Sequence, residues 1–127
     1  MIAHTHLHVS DVAAARAFYS RVLAPLGYTI AMQLDDAVGF HDGRNTDLWI
    51  VPDPVVPTHL ALEAKSRDEV EAFHREALAA GATDNGTPGY REHYWPGYYA
   101  AFVRDPDGHN IEAVWFDHEK GERVADT

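Results

Sequence analysis

An α+β fold built from two tandem βαβββ modules is predicted by three observations on this 127-residue chain. Ile2 to Val9 alternates in character, so that His4, His6 and His8 share one face and Thr5, Leu7 and Val9 the other, and a helical stripe follows it. The same order begins again at His59. Sliding the sequence along itself by 55 residues superimposes His4 on His59, Leu7 on Leu62, Ala17-Phe18 on Ala72-Phe73 and Leu23 on Leu78.

Each element has its own local reason. Ser10-Asp11 supplies a helix N-cap, and Val12, Ala15, Phe18, Tyr19, Val22 and Leu23 form one apolar stripe. That helix should stop near Ala24, because Pro25 disfavours helical geometry before it and Gly27 suits a C-terminal cap. Tyr28 to Leu34, Ala37 to His41 and Thr46 to Val51 are β-prone and separated by Asp35-Asp36 and Asp42-Gly43-Arg44-Asn45, which makes an antiparallel meander. Module one is thus residues 1–51. Three prolines among Pro52 to Pro57 make residues 52–58 an extended linker. Module two, residues 59–116, starts with the strand His59 to Ala64, then a helix capped by Ser66 with Glu69 and striped by Val70, Phe73, Ala77 and Leu78 up to Gly81. A Gly-, Pro- and aromatic-rich loop is expected from Asn85 to Gly97. Strands Tyr98 to Arg104 and Asn110 to Phe116 are joined by Asp105-Pro106-Asp107-Gly108, a type I turn sequence. The charged tail, residues 117–127, is expected to fray, and the whole makes a single domain.

Composition narrows the chemistry. Asp plus Glu number 20 against 10 Lys plus Arg, a formal net charge of −10 with no basic cluster, so nucleic acid and membrane surfaces are not expected partners. No cysteine is present, which excludes disulfides, thiol catalysis and thiolate metal sites. Any metal must therefore be held by His and carboxylate. No apolar run approaches the roughly 20 residues of a transmembrane helix, and a cytoplasmic location is expected.

The repeat also predicts a site. Phe40, Asp42-Gly43 and Leu48 to Val51 parallel Phe102, Asp105, Gly108 and Ile111 to Val114, with Trp49 falling on Glu112. Equivalent positions of a duplicated unit meet around its pseudo-axis, so His4, His59 and Glu112 should converge on one point, within one chain or across a dimer. Two imidazoles and a carboxylate suit a divalent ion with open positions, whether Fe, Mn, Zn, Ni or Co.

The opening His4-Thr5-His6-Leu7-His8-Val9-Ser10-Asp11 with Ala17-Phe18-Tyr19, the second-half His59-Leu60-Ala61-Leu62, and the closing Phe102-Val103-Arg104-Asp105-Pro106-Asp107-Gly108-His109-Asn110-Ile111-Glu112 together resemble the vicinal oxygen chelate superfamily. That superfamily includes glyoxalase I, extradiol dioxygenases and the bleomycin- and fosfomycin-resistance proteins. The resemblance implies a curved mixed sheet around a central cavity, modules often paired across a homodimer, and metal ligands at His4, His59 and Glu112. Trp49 stands where glyoxalase I enzymes carry a carboxylate, and Phe102 where the extradiol enzymes carry a tyrosine. The expected function is that of a metal-dependent enzyme of glyoxalase or dioxygenase type on a small substrate bearing two neighbouring oxygens. The alternative is a small-molecule binding protein without catalysis.

Further residues are candidates for substrate contact or proton transfer. Arg91, His93, Tyr94, Trp95 and Tyr98 fall in one aromatic-rich stretch, which either lines a concave site or packs over the sheet or a dimer interface. His93 and Tyr98 are the candidate general acid or base, since an imidazole can exchange protons near neutral pH and a phenol beside a metal can donate one. His6 and His8 share the face of His4, and Trp49 should form a pocket wall. His41, His74, His109 and His118 receive no role.

Overall fold

A computed structural model describes residues 1–120. Its elements run β1 (Thr5–His8), α1 (Val12–Leu23), β2 (Thr29–Gln33), β3 (Val38–His41), β4 (Thr46–Val51), β5 (His59–Glu63), α2 (Arg67–Ala79), β6 (Thr83–Tyr90), β7 (Tyr98–Arg104) and β8 (Asn110–Phe116). Two four-stranded sheets result, ordered β1-β4-β3-β2 and β5-β8-β7-β6. In each, the first strand lies parallel to the last at one edge, and the remaining pairs are antiparallel. The two tandem βαβββ modules are therefore present.

The duplication extends to individual backbone bonds. Asp11 caps α1 by accepting from the Ala14 amide at 3.0 Å, and Ser66 caps α2 by accepting from the Glu69 amide at 3.1 Å. The amides of Val9 and Ala64, each just past the first strand of its module, donate to the carbonyls of Val51 and Val114 at 2.9 and 2.7 Å. α1 passes into a 3-10 turn, Ala24–Leu26, that Gly27 closes at φ 87°, where Pro25 and the glycine predicted the stop.

Leu7, Leu48, Ile50, Val38 and Phe40 of the first sheet join Leu62, Ile111, Ala113, Ala101 and Val103 of the second in one buried cluster with both helices. The other residues of each strand lie on an outer face, away from the helices. Across the first sheet that face carries the aligned row His6, Trp49, Gly39 and Met32. Across the second it carries Ala61, Glu112, Phe102 and Gly86. Trp49 and Glu112 thus hold equivalent places.

Two expectations need correction. The loop predicted from Asn85 is a strand as far as Tyr90, with register shifts on both sides of Gly86. Pairing with β7 overrides the turn-forming residues there, and the bulges absorb them. The tail does not fray at its start: Asp117 is buried, donates its amide to the Gly97 carbonyl at 2.8 Å and accepts from the Tyr90 hydroxyl at 2.9 Å. Residues 121–127 of the predicted tail lie outside the described residues.

Candidate metal and substrate site

Glu112 sits mid-strand on β8 with only 1% of its surface exposed, and a buried carboxylate must be matched by donors. Oε1 lies 2.8 Å from His59 Nε2, and Oε2 accepts the Tyr98 hydroxyl. Tyr98 stands opposite Phe116, four residue pairs along the ladder from Glu112, and shares a face of β7 with Ala100 and Phe102. Three rings hold it edge to face: Tyr94, Trp95 and Phe116, with centroids at 5.0, 5.4 and 5.5 Å. Burial, and then the bond to Glu112, push the Tyr98 hydroxyl well above the ordinary tyrosine range. It stays protonated and donates to the carboxylate.

The His59 imidazole is half exposed and opens onto a pocket of about 530 Å³ lined by His59, His93, Tyr94, Trp95, Tyr98 and Glu112. Four of the residues singled out in the aromatic stretch thus border the same space as two of the three metal candidates. A roomier groove of about 760 Å³ lies elsewhere, between Tyr28, Asp47 and the C-terminal half of β5, and contains none of those candidates.

The donor set fits a metal ion in part. Two ligands about 2.1 Å from a metal, with bonds at right angles, lie about 3 Å apart, and His59 Nε2 and Glu112 Oε1 have that spacing. His4 does not join them within the chain. It precedes β1, exposed, with its ring stacked on His6 at 5.4 Å, and among the described residues no three His, Asp or Glu side chains gather as a metal site. Convergence of the trio inside one chain is therefore not found.

The remaining candidates are spread over both outer faces. Trp49 is partly exposed beside His6, while its neighbours Leu48 and Ile50 are buried against the helices. Its indole crosses Gly39, where an added Cβ would come within 3.0 Å of the ring. His8 turns to the linker instead, with Nδ1 3.2 Å from the Pro54 carbonyl and Nε2 3.9 Å from Asp53. Arg91 runs back along β6 to lie over Phe102.

His109 has a structural role that its sequence did not announce. Fully buried, it accepts from the Thr58 amide at Nδ1 (3.0 Å), so its proton is on Nε2, which donates to the His8 carbonyl at 2.7 Å. Beside it, the Asp105 carboxylate accepts the amides of Asp107 and His109 at 3.0 and 2.8 Å and the hydroxyl of Tyr19. Ser10 donates from its hydroxyl and its amide to Asp107 at 2.7 and 3.1 Å. The closing Asp-Pro-Asp-Gly-His stretch is thus a clasp that fastens β8 to β1. The turn signal was legible, but its partners, about 90 to 100 residues away, carry none.

Solved structures share this architecture. A glyoxalase/bleomycin resistance protein from Albidiferax ferrireducens T118 is 25% identical, with a TM-score of 0.77 over 89% of this chain and 96% of that one. A lactoylglutathione lyase from Agrobacterium tumefaciens (22%, TM-score 0.69, 91% and 92% covered) and a glyoxalase-related enzyme from Fulvimarina pelagi (19%, 0.70, 91% and 87%) match in fold. Comparison with curated proteins finds no match. The model of the Glyoxalase/Bleomycin resistance protein/Dioxygenase superfamily matches residues 1–113, which takes in the first module and the second as far as the middle of β8, just past Glu112. Duplicated backbone, edge strands and sequence agree, and the chain belongs to that superfamily.

Proposed function

We propose that this protein is a metal-dependent enzyme acting on a small substrate that presents two neighbouring oxygens. The ion would be held by His59 and Glu112 of one chain and His4 of a second copy. The observation that carries the reading is the His59–Glu112 pair, at ligand spacing, with its carboxylate buried and its imidazole facing an open pocket. A divalent ion bound there supplies Lewis-acid polarisation of a chelating substrate.

The protein's own groups divide the remaining work. Tyr98 donates to Glu112 and fixes which carboxylate oxygen turns to His59, so it is a positioning residue. Tyr94 and Trp95 supply flat apolar walls that exclude water from one side of the pocket. His93, exposed on the rim with its ring 4.3 Å from that of Tyr94, is the side chain placed to exchange a proton with a bound substrate. Trp49 and His6 would face the substrate from the partner's first module.

A homodimer follows from this reading, because β1 and β5 are both sheet edges and, among the described residues, no third ligand joins His59 and Glu112 within one chain. The test is metal content by mass spectrometry and mass by light scattering. The wild-type protein should scatter at twice 14.1 kDa and hold metal, and His4→Ala, His59→Ala and Glu112→Gln should each lose it. Refolding His4→Ala together with Glu112→Gln should restore metal to a fraction of sites, because a mixed dimer retains one intact set. A metal-free wild-type protein that still binds small aromatic compounds would instead establish the non-catalytic binder, the reading favoured by Trp49 standing where Glu112 has its equivalent.

A further inference from the structure

The loop that covers the second sheet's outer face builds more than an apolar wall. Tyr94 and Trp95 stand on it with their ring planes at 86° and 90° to that of Tyr98, and the centroids lie 5.0 and 5.4 Å from its own. Planes at right angles close a corner, and these three rings line the pocket together. Trp95 gives one face to Phe116, stacked on it at 17° and 5.5 Å, and is still partly exposed. Tyr94 is 51% exposed. Ring faces therefore remain for a ligand.

The electrostatics of this corner have one sign. A ring face is the negative side of the aromatic quadrupole. Tyr98 donates its hydroxyl to the buried Glu112 carboxylate, which pushes electron density into the ring, and the field of that carboxylate is poorly screened in the interior. Glu92 adds a second carboxylate at the base of the same loop, where it accepts the Gly97 amide at 3.3 Å. Among the described residues, no Lys or Arg lines the pocket. The Arg91 guanidinium lies in space left by Gly86 and Gly89, and donates to the Gly89 and Thr87 carbonyls at 2.9 and 2.8 Å. A net charge of −10 on the whole chain reinforces the sign. The hydrogen bonds then narrow the cation. Both Glu112 oxygens are already engaged, by His59 and by Tyr98. A bare ammonium or guanidinium would turn N–H donors toward ring carbons, and donors left unpaired out of water are costly. An alkylated ammonium has no such donors. It presents a methyl-coated positive surface, which ring faces attract within about 6 Å of their centroids.

We infer that the corner formed by Tyr94, Trp95 and Tyr98 binds a small quaternary ammonium group, so that this pocket takes organic cations. The corner needs no ion at His59 and Glu112, and chelator-treated protein therefore tests it apart from the metal reading. Calorimetric titration would compare choline with 3,3-dimethylbutan-1-ol, an uncharged molecule of the same shape in which carbon replaces the nitrogen. The wild type should bind choline about ten-fold or more tighter. Tyr94→Leu and Trp95→Leu keep apolar bulk and leave the net charge unaltered, and each should cut that preference to about three-fold or less. Tyr94 is half exposed, so its variant decides the matter even where Trp95→Leu folds badly. Equal binding of the two molecules by the wild type, or binding of neither, overturns the inference. A choline preference that survives in Tyr94→Leu at full size overturns it as well, because the charge of the whole chain is then its cause and the rings are not.

Discussion

The two modules share their backbone and differ in what they do with their outer faces. The helix caps at Asp11 and Ser66 and the Val9–Val51 and Ala64–Val114 bonds repeat one pattern. Yet the first sheet's outer row is open at both ends, with His6 exposed and Met32 51% exposed and only Gly39 covered, by the Trp49 indole, whereas Glu112 and Phe102 in the second row are nearly sealed. The connection between the third and second strands in each sheet explains the contrast. Four residues, Leu34 to Ala37, join β2 to β3; seven, Arg91 to Gly97, join β6 to β7 and bring the aromatic rings that cover the second face. One backbone plan therefore yields an open face in one half and a face covered by aromatic rings in the other. Core positions answer to packing with the helices, and outer-face positions are available for chemistry.

The largest effect that probes this comparison concerns two equivalent turn aspartates. Asp42 accepts the amides of Arg44 and Asn45 at 2.7 and 2.8 Å in the open, while Asp105 makes the same kind of turn buried beneath the Tyr19 hydroxyl. Asp105→Ala should cost about 3 kcal/mol or more in urea unfolding, because it strands a buried hydroxyl and two amides, against about 1 kcal/mol for Asp42→Ala. Equal costs would mean that the clasp adds nothing to the turn.

A smaller effect is expected at Tyr98. Tyr98→Phe keeps the ring among Tyr94, Trp95 and Phe116 but leaves Glu112 Oε2 without its donor. Metal affinity measured by equilibrium dialysis should fall roughly ten- to a hundred-fold, with the melting temperature little changed. Unaltered affinity would show that the phenol only fills space.

The smallest effect is a pH dependence in the second module. The bond from His74 at 2.8 Å, and then the Gly86 amide, hold the Asp84 carboxyl below the usual carboxylate range. The folded chain thus takes up this proton at lower pH than the unfolded chain. The contribution is complete above the unfolded value of about 4 and is lost as pH falls below it. Asp84→Asn should flatten the acid limb of the stability profile slightly. An unchanged limb would show that the pair has no energetic weight.

Much of this architecture was legible because short-range patterns and the 55-residue offset act together. Alternation through His4, His6 and His8 pointed to a strand, and the parallel between Phe40 to Val51 and Phe102 to Val114, with a longer turn in the second, tied Glu112 to Trp49. The β6 strand was not legible, since Asn85-Gly86-Thr87-Pro88-Gly89 has the chemistry of a turn, and only β7 alongside makes it extended. The two glycines that misled serve the Arg91 side chain. His109 was invisible for another reason: it binds backbone groups, and a main-chain carbonyl has no sequence signature.

The clasp also bears on the order of folding. Ser10 and Asp107 are 97 residues apart, and His8 and His109 are 101 apart, so these bonds close a loop of nearly the whole chain. Closing about a hundred flexible residues costs on the order of 4 kcal/mol in chain entropy, more than any one of these bonds returns. They can form only after both helices and sheets have shortened that loop. During synthesis, the first module therefore leaves the ribosome with the His8 carbonyl and the Ser10 hydroxyl waiting for a segment made more than ninety residues later. Until then β1, an edge strand throughout, is not yet fastened to the second module, and that interval is when two nascent chains are most able to exchange halves.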